Sequence, residues 1–343
     1  MSRFSNAMPP ISGRHWTLRE LGVQGVLGAL LLAALLLLGS FAGPHPIVSA
    51  PPWTDPVWRL RAWRLLAAAI VGMALGTAGA ALQGLLRNPL ADPYVLGVAT
   101  GAGIGVRIGH IGVFAAWMGS WRTPVLAMAG ALATTAMVPA LAWRGARRDP
   151  WSIVLAGVMM NVLNGAVLMA LYLWADPDRL DEFARWSMGE LPDIVEPGQL
   201  AMAVALVLPS CTAMMFAATA LNALALGEEV AHTTGVAVVG IRLFVCVVVG
   251  VLTAAAVAVA GPVGFVGLLA PHSARALTGP DHRRLLPTAA VVGAVLVMTA
   301  DVLARTVGHW LGLGRVPTGL VTALFGVPVF LGLLHAHTEH RMQ

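Results

Sequence analysis

Apolar residues run along this chain in blocks of about twenty, separated by short polar segments. The blocks are Leu21–Gly43, Arg64–Leu86, Tyr94–Trp117, Pro124–Trp143, Trp151–Trp174, Leu200–Leu226, Leu243–Gly261, Leu286–His309 and Leu320–His335, with a shorter one at Phe265–Leu277. About twenty residues of helix span the ~30 Å of bilayer hydrocarbon. The pattern predicts an all-α polytopic membrane protein with about ten transmembrane helices. Residues 21–336 would form the membrane domain, with a cytoplasmic N-terminal segment 1–20 and a cytoplasmic tail 337–343.

The most informative interruption is Arg87–Val106, RNPLADPYVLGVATGAGIGV. Asn88-Pro89 and Asp92-Pro93 push the backbone out of helical geometry, because the residue before a proline favours extended conformations. A helix restarting after Pro93 carries Gly97, Gly101, Gly103 and Gly105, whose spacing admits another backbone very closely. A second interruption, Gly261-Pro262 with Pro271, leaves a span too short to cross the bilayer unless protein encloses it. Within it, His272 is expected to be packed. Leu226–Val236, LGEEVAHTTGV, is too polar to be membrane-buried and too short to cross; it predicts a capped loop helix or a docking helix for a cytoplasmic partner.

The composition is 58% hydrophobic and 11% charged, against about 25% charged in a soluble domain. All 21 basic residues are arginine. Such a basic excess fits cytoplasmic loops under the positive-inside rule rather than nucleic-acid binding. Placing both termini in the cytoplasm puts Arg87, Arg144, Arg147, Arg148, Arg283 and Arg284 inside, while Asp176–Glu196 forms an acidic outer segment. Cys211 and Cys246 lie in apolar runs and read as small hydrophobes.

The candidate chemistry is sparse. With no lysine, no phosphate-binding loop of the G-x-x-x-x-G-K-[ST] type exists, so ATP and Mg would have to be handled by a partner subunit. No metal site is expected, and the tail cluster His335, His337, Glu339 and His340 reads as solvated. Asp301 and Arg305, four apart, are placed to pair on one helix face. Arg107 and His110 fall inside an apolar run, where a charge must face a cavity, a partner or the interface. A membrane-embedded prenyl-transfer enzyme using Asp176–Glu182, and a passive channel, are the competing readings.

Several motifs in order now resemble one family: RNPLADPYVLGVATGAG at Arg87–Gly103, VLAG at Val154–Gly157, WSMGEL at Trp186–Leu191, LGEEVA at Leu226–Ala231, GPVGFVGLLAPHSAR at Gly261–Arg275, GPDHRRLLP at Gly279–Pro287 and PTGLVTALFGVPVFLGLL at Pro317–Leu334. The chain resembles FecCD-type permease subunits of ABC importers for iron–siderophore, haem or cobalamin. The resemblance implies the type II importer permease fold, a homodimer in the bacterial inner membrane, two cytoplasmic ATPase subunits and a periplasmic substrate-binding protein. It assigns ATPase coupling to Leu226, Gly227, Glu228, Glu229, Val230, Ala231 and Gly235. Arg61, Arg64 and Arg305 would dock the binding protein. Asn88, Leu90, Pro150 and Trp151 would lie on the translocation path, with Arg107 and Arg185 added as residues that tune it toward an anionic metal chelate. Arg315 departs from the glutamate that many relatives carry before the last span.

Overall fold

In a computed structural model, the described residues are 18–42, 54–110, 118–142, 150–173, 180–312, 314 and 316–342; within 18–26 and 331–342 only the backbone is described, Gly332 excepted. Regular structure among them is entirely helical: α1 Leu18–Phe41, α2 Pro56–Leu86, α3 Val98–His110, α4 Arg122–Ala142, α5 Pro150–Tyr172, α6 Leu180–Ser187, α7 Pro197–Leu226, α8 Glu228–Thr233, α9 Val238–Ala260, α10 Val266–Thr278, α11 His282–Trp310 and α12 Thr318–Met342, with 3-10 turns at Pro93–Leu96 and Gly119–Trp121. Six of these, α2, α4, α5, α7, α9 and α11, are long and apolar enough to cross a membrane. The segment Arg144–Arg148, expected as an inner loop, the tail side chains and Arg315 lie outside what is described.

Two boundaries differ usefully from the sequence pattern. Helix α2 begins eight residues before Arg64, because the Asp55 carboxylate accepts the Val57 amide at 2.8 Å and Pro56 occupies the first helical position. Arg61 and Arg64 therefore project from helical turns instead of from a loop. Helix α11 likewise starts at His282, with Asp281 accepting the Arg283 amide at 3.0 Å.

Helix α2 is the central spine, buried over most of its length between α11, α9, α10 and α7. Its glycines explain how. A Cβ at Gly72 would fall 2.1 Å from the Gly293 carbonyl oxygen, one at Gly76 2.1 Å from that of Ala289, and one at Gly79 2.0 Å from that of Gly267. The same small-residue logic joins α3 to α4, where a Cβ on Gly105 would meet the Leu126 carbonyl at 1.8 Å. Without a hydrophobic driving force between helices in lipid, such close backbone approach supplies the packing energy.

Helices α3 and α10 have 13 residues each, about 20 Å, too short to cross alone. Their open ends are closed by side chains of neighbouring helices. The Asn161 amide, on α5, donates to the carbonyls of Tyr94 and Val95 at 3.2 and 3.3 Å and accepts from Thr100 at 2.9 Å. Asn164 donates to the hydroxyls of Thr100 and Thr134, both at 3.1 Å. The Tyr94 hydroxyl donates to the Val263 carbonyl and accepts its amide at 3.0 Å, so the two interruptions are bonded to each other.

Gly76→Ala should cost about 1–3 kcal/mol through overpacking on α11. Gly332→Ala, where nothing lies within 4 Å of the new methyl, should be neutral. Thermal unfolding of the two purified variants in detergent checks the contrast.

Candidate functional site

Polar side chains gather at two ends of the bundle. On α2, Arg64 and Gln83 lie 19 residues apart; on antiparallel α11, Asp301 and His282 are separated by the same 19. At 1.5 Å per residue that is about 29 Å, the thickness of bilayer hydrocarbon.

At the end that the charge pattern marks as outer, Asp301 is 0% exposed. Arg64 Nε donates to its Oδ1 at 2.8 Å, Arg305 Nε lies 3.0 Å from Oδ2, and the Thr318 hydroxyl completes the set at 3.5 Å. Arg64 also pairs with Asp193. Arg61 donates to the Phe41 carbonyl at 3.3 Å, and Arg305 to that of Ala42 at 3.2 Å, tying α1 to the cluster. The expected pairing of Asp301 with Arg305 is present; its second partner, Arg64, is 237 residues away in sequence and was not visible there. Arg61, Arg64 and Arg305, expected as rim charges, are largely committed to internal partners. They nevertheless line one 790 Å³ cavity together with Glu190, Asp193 and His309.

At the opposite end, α8 carries Glu228 and Glu229 in its first turn, complementing the helix dipole. Gly227 (φ +133°) and Gly235 (φ +79°) supply the turns on either side, which L side chains rarely adopt. The two glutamates differ. Glu228 accepts from buried Arg242 at 2.8 Å, whereas Glu229 is exposed beside Leu226 and Val230; Ala231 is the buried anchor. One turn before α8, Asn222 donates to Asp281 at 2.6 Å and accepts from the His282 amide at 2.9 Å. Burial alone would raise the Asp281 carboxyl; Asn222, the Arg283 amide and the charges of Arg283 and Arg284 outweigh it and hold the group below the usual carboxylate range. Gln83 accepts from Arg275 at 3.3 Å and donates to the Gly267 carbonyl at 3.4 Å, linking α2 to α10.

The loop between α2 and α3 faces this same end. Asn88 accepts the Leu90 amide at 2.9 Å, a turn that presents Leu90 to the surroundings. Asp92 caps the following 3-10 turn through the Tyr94 amide at 2.8 Å, and burial pushes its carboxyl up to about 6. Pro150 is partly exposed and Trp151 is 77% exposed. From Trp151 a stripe of exposed Leu155, Met159, Val162, Met169 and Leu173 follows one face of α5.

Arg185 is exposed and pairs with Asp181 at 3.3 Å, a contact of little energetic weight. Arg107 is buried instead. Its guanidinium lies 5.4 Å from the Tyr172 ring and 5.6 Å from the Phe183 ring. His272, as expected, is packed, edge-on to Phe330 at 6.0 Å. No cluster of three potential metal ligands occurs among the described residues.

Broken helices, a short polar helix at one end and an arginine-lined cavity at the other define a membrane permease. Residues 26–336 match the FecCD transport family, and the chain belongs to it: it is a permease of the ABC-importer type. It is 38% identical over 323 residues to the hemin transport system permease protein HmuU of Yersinia pestis, covering 91% of this chain and 95% of that one. The vitamin B12 import system permease protein BtuC of Vibrio cholerae is 36% identical over 282 residues, 81% and 82% of the two chains. A solved structure described as an inward-facing metal-chelate type ABC transporter superposes with a TM-score of 0.79 at 28% identity, covering 90% of this chain and 97% of that one. Permease subunits of this family are not enzymes, which removes the prenyl-transfer reading.

Asp301→Asn should leave Arg64 and Arg305 without their shared charge and cost about 3–5 kcal/mol, the usual penalty for breaking a buried ion pair. Unfolding of the purified variant, with Asp193→Asn at the more exposed partner costing much less, checks this.

Proposed function

We propose that the chain is the membrane subunit of a binding-protein-dependent importer that moves a bulky metal chelate, an iron–siderophore or haem, across the bacterial inner membrane by alternating access. The observation that carries the reading is α8: a six-residue helix outside the bilayer-length spans, anchored by Ala231 and the Glu228–Arg242 pair, presenting Glu229, Val230 and Leu226 outward. Such a knob is what a separate ATPase, holding ATP and Mg, needs in order to push on the bundle. Asn222 and Asp281 connect its base to α11, and Gln83 with Arg275 connects α2 to α10, so a shift of α8 would be shared by the helices that end in the two broken segments.

In this reading all ten long or half-length helices cross, both termini are cytoplasmic, and two copies meet along the exposed apolar stripe of α5, with Asn88, Leu90, Pro150 and Trp151 near the inner gate. The periplasmic binding protein sits over the arginine-lined cavity, where carboxylate partners would fix register and speed docking. A cobalamin importer is the second reading, favoured by the BtuC relatives. No nucleic acid is involved, and the remaining partner is membrane lipid.

Affinity purification from the native membrane tests the proposal: a nucleotide-binding ATPase should travel with the chain, and its absence would sink the reading. Glu229→Arg should uncouple ATP hydrolysis from uptake, lowering the transport rate at least about tenfold with unchanged thermal stability, since reversing a rim or buried charge at a contact costs on the order of 2 kcal/mol. Glu228→Arg should uncouple and also destabilise, because it places a second cation against buried Arg242. Normal uptake by Glu229→Arg would refute the docking role.

A further inference from the structure

Arg107 is 1% exposed, yet neither its Nε nor its Nη1 meets a hydrogen-bond acceptor among the described residues. Its guanidinium carbon lies over the rings of Tyr172 from α5 and Phe183 from α6. Those rings attract the cation, but a ring is a much weaker partner for a guanidinium N–H than a carboxylate oxygen. A buried donor left unmade is costly, and fixed N–H groups on a permanent charge are suited to an oxyanion.

The cover belongs to a short helix. Helix α6 has eight residues, and Phe183 is the one it buries; Phe183 packs edge-on against Tyr172 at 5.6 Å and tilted against Trp186 at 5.7 Å. Asp181, Glu182 and Arg185 are the exposed polar face of α6, and Trp186 at its other end packs against the core. Arg107 sits near the end of α3 that approaches the outer mouth, close to where α5 ends.

We infer that Arg107 is an occluded anion subsite and that Phe183 on α6 is its plug, exchanged for a carboxylate of the transported chelate when α6 lifts. This rests on the reading of the chain as a chelate importer and adds a basis for selecting anionic cargo. Before substrate arrives, the rings hold the cation and keep it from snorkelling or recruiting water. When a carboxylate enters, the unused N–H groups acquire acceptors, and the loss of one aromatic contact is offset by a charge-assisted pair.

The test uses the assembled transporter in nanodiscs, with haem, which carries two carboxylates, and its dimethyl ester, which carries none. Amide hydrogen exchange is followed over α6 and ATPase stimulation is followed in parallel. Haem should make α6 exchange about tenfold faster, the ester should not, and Arg107→Gln should abolish the response. Arg107→Lys, which keeps a charge without the planar fork, should retain part of it and serves if the glutamine variant does not assemble. Equal lifting by haem and ester, or an undiminished response in both variants, overturns the subsite. So does haem-stimulated ATPase with α6 unmoved, which would leave the importer reading standing. Failure of haem to stimulate the wild-type ATPase at all would instead bring down the haem reading on which the subsite rests.

Discussion

In hydrocarbon no water is available to pair a free amide or carbonyl, and each orphan costs several kcal/mol. Two helices of this protein, α3 and α10, are nevertheless too short to cross and begin after irregular backbone at residues 87–97 and 261–265, and the rest of the architecture can be read as provision for those two ends. Asn161, Thr100, Asn164 and Thr134 form one chain of hydrogen bonds that serves the first; the Tyr94 hydroxyl serves the second while belonging to the first. The Val263 backbone is thus bonded to a side chain of the other broken segment, which joins the two ends directly.

The cost of breaking helices is accepted only where irregular backbone lines a cavity or moves. The glycines make the same point from the packing side. Along α2 they bring α11 and α10 to backbone contact, producing a stiff central layer. The more exposed elements, α5 with its apolar stripe, α6 with its acidic outer face, and α8 between its two positive-φ glycines, lie around it.

Much of this was legible in the sequence. The Asn-Pro and Asp-Pro breaks, the short polar LGEEVA segment and six of the bilayer-length blocks each have a local physical cause and appear where the pattern puts them, whereas the block Tyr94–Trp117 gives only the 13-residue α3 among the described residues. What was not legible is long-range pairing. Nothing local says that Arg64 meets Asp301, that Asn222 meets Asp281, or that Arg242 holds Glu228, since each pair is assembled by helix packing. Weak hints existed: Asn161 and Asn164, three apart in an otherwise apolar run, must share a buried face and find partners. The burial of Arg61 and Arg64 was equally hidden, because helix α2 starts earlier than its apolar block, at a proline capped by Asp55.

The two glutamates of α8 show why a motif is not a mechanism. By sequence Glu228 and Glu229 are equivalent first-turn acids. In the fold one neutralises a buried arginine and the other faces outward. The first acid's partner, Arg242, stands at the base of α9, the helix that ends at Gly261 and the second break. A charge pair therefore sits at the foot of the helix that leads to the interrupted backbone, and the Tyr94 hydroxyl bonds that backbone to the first break.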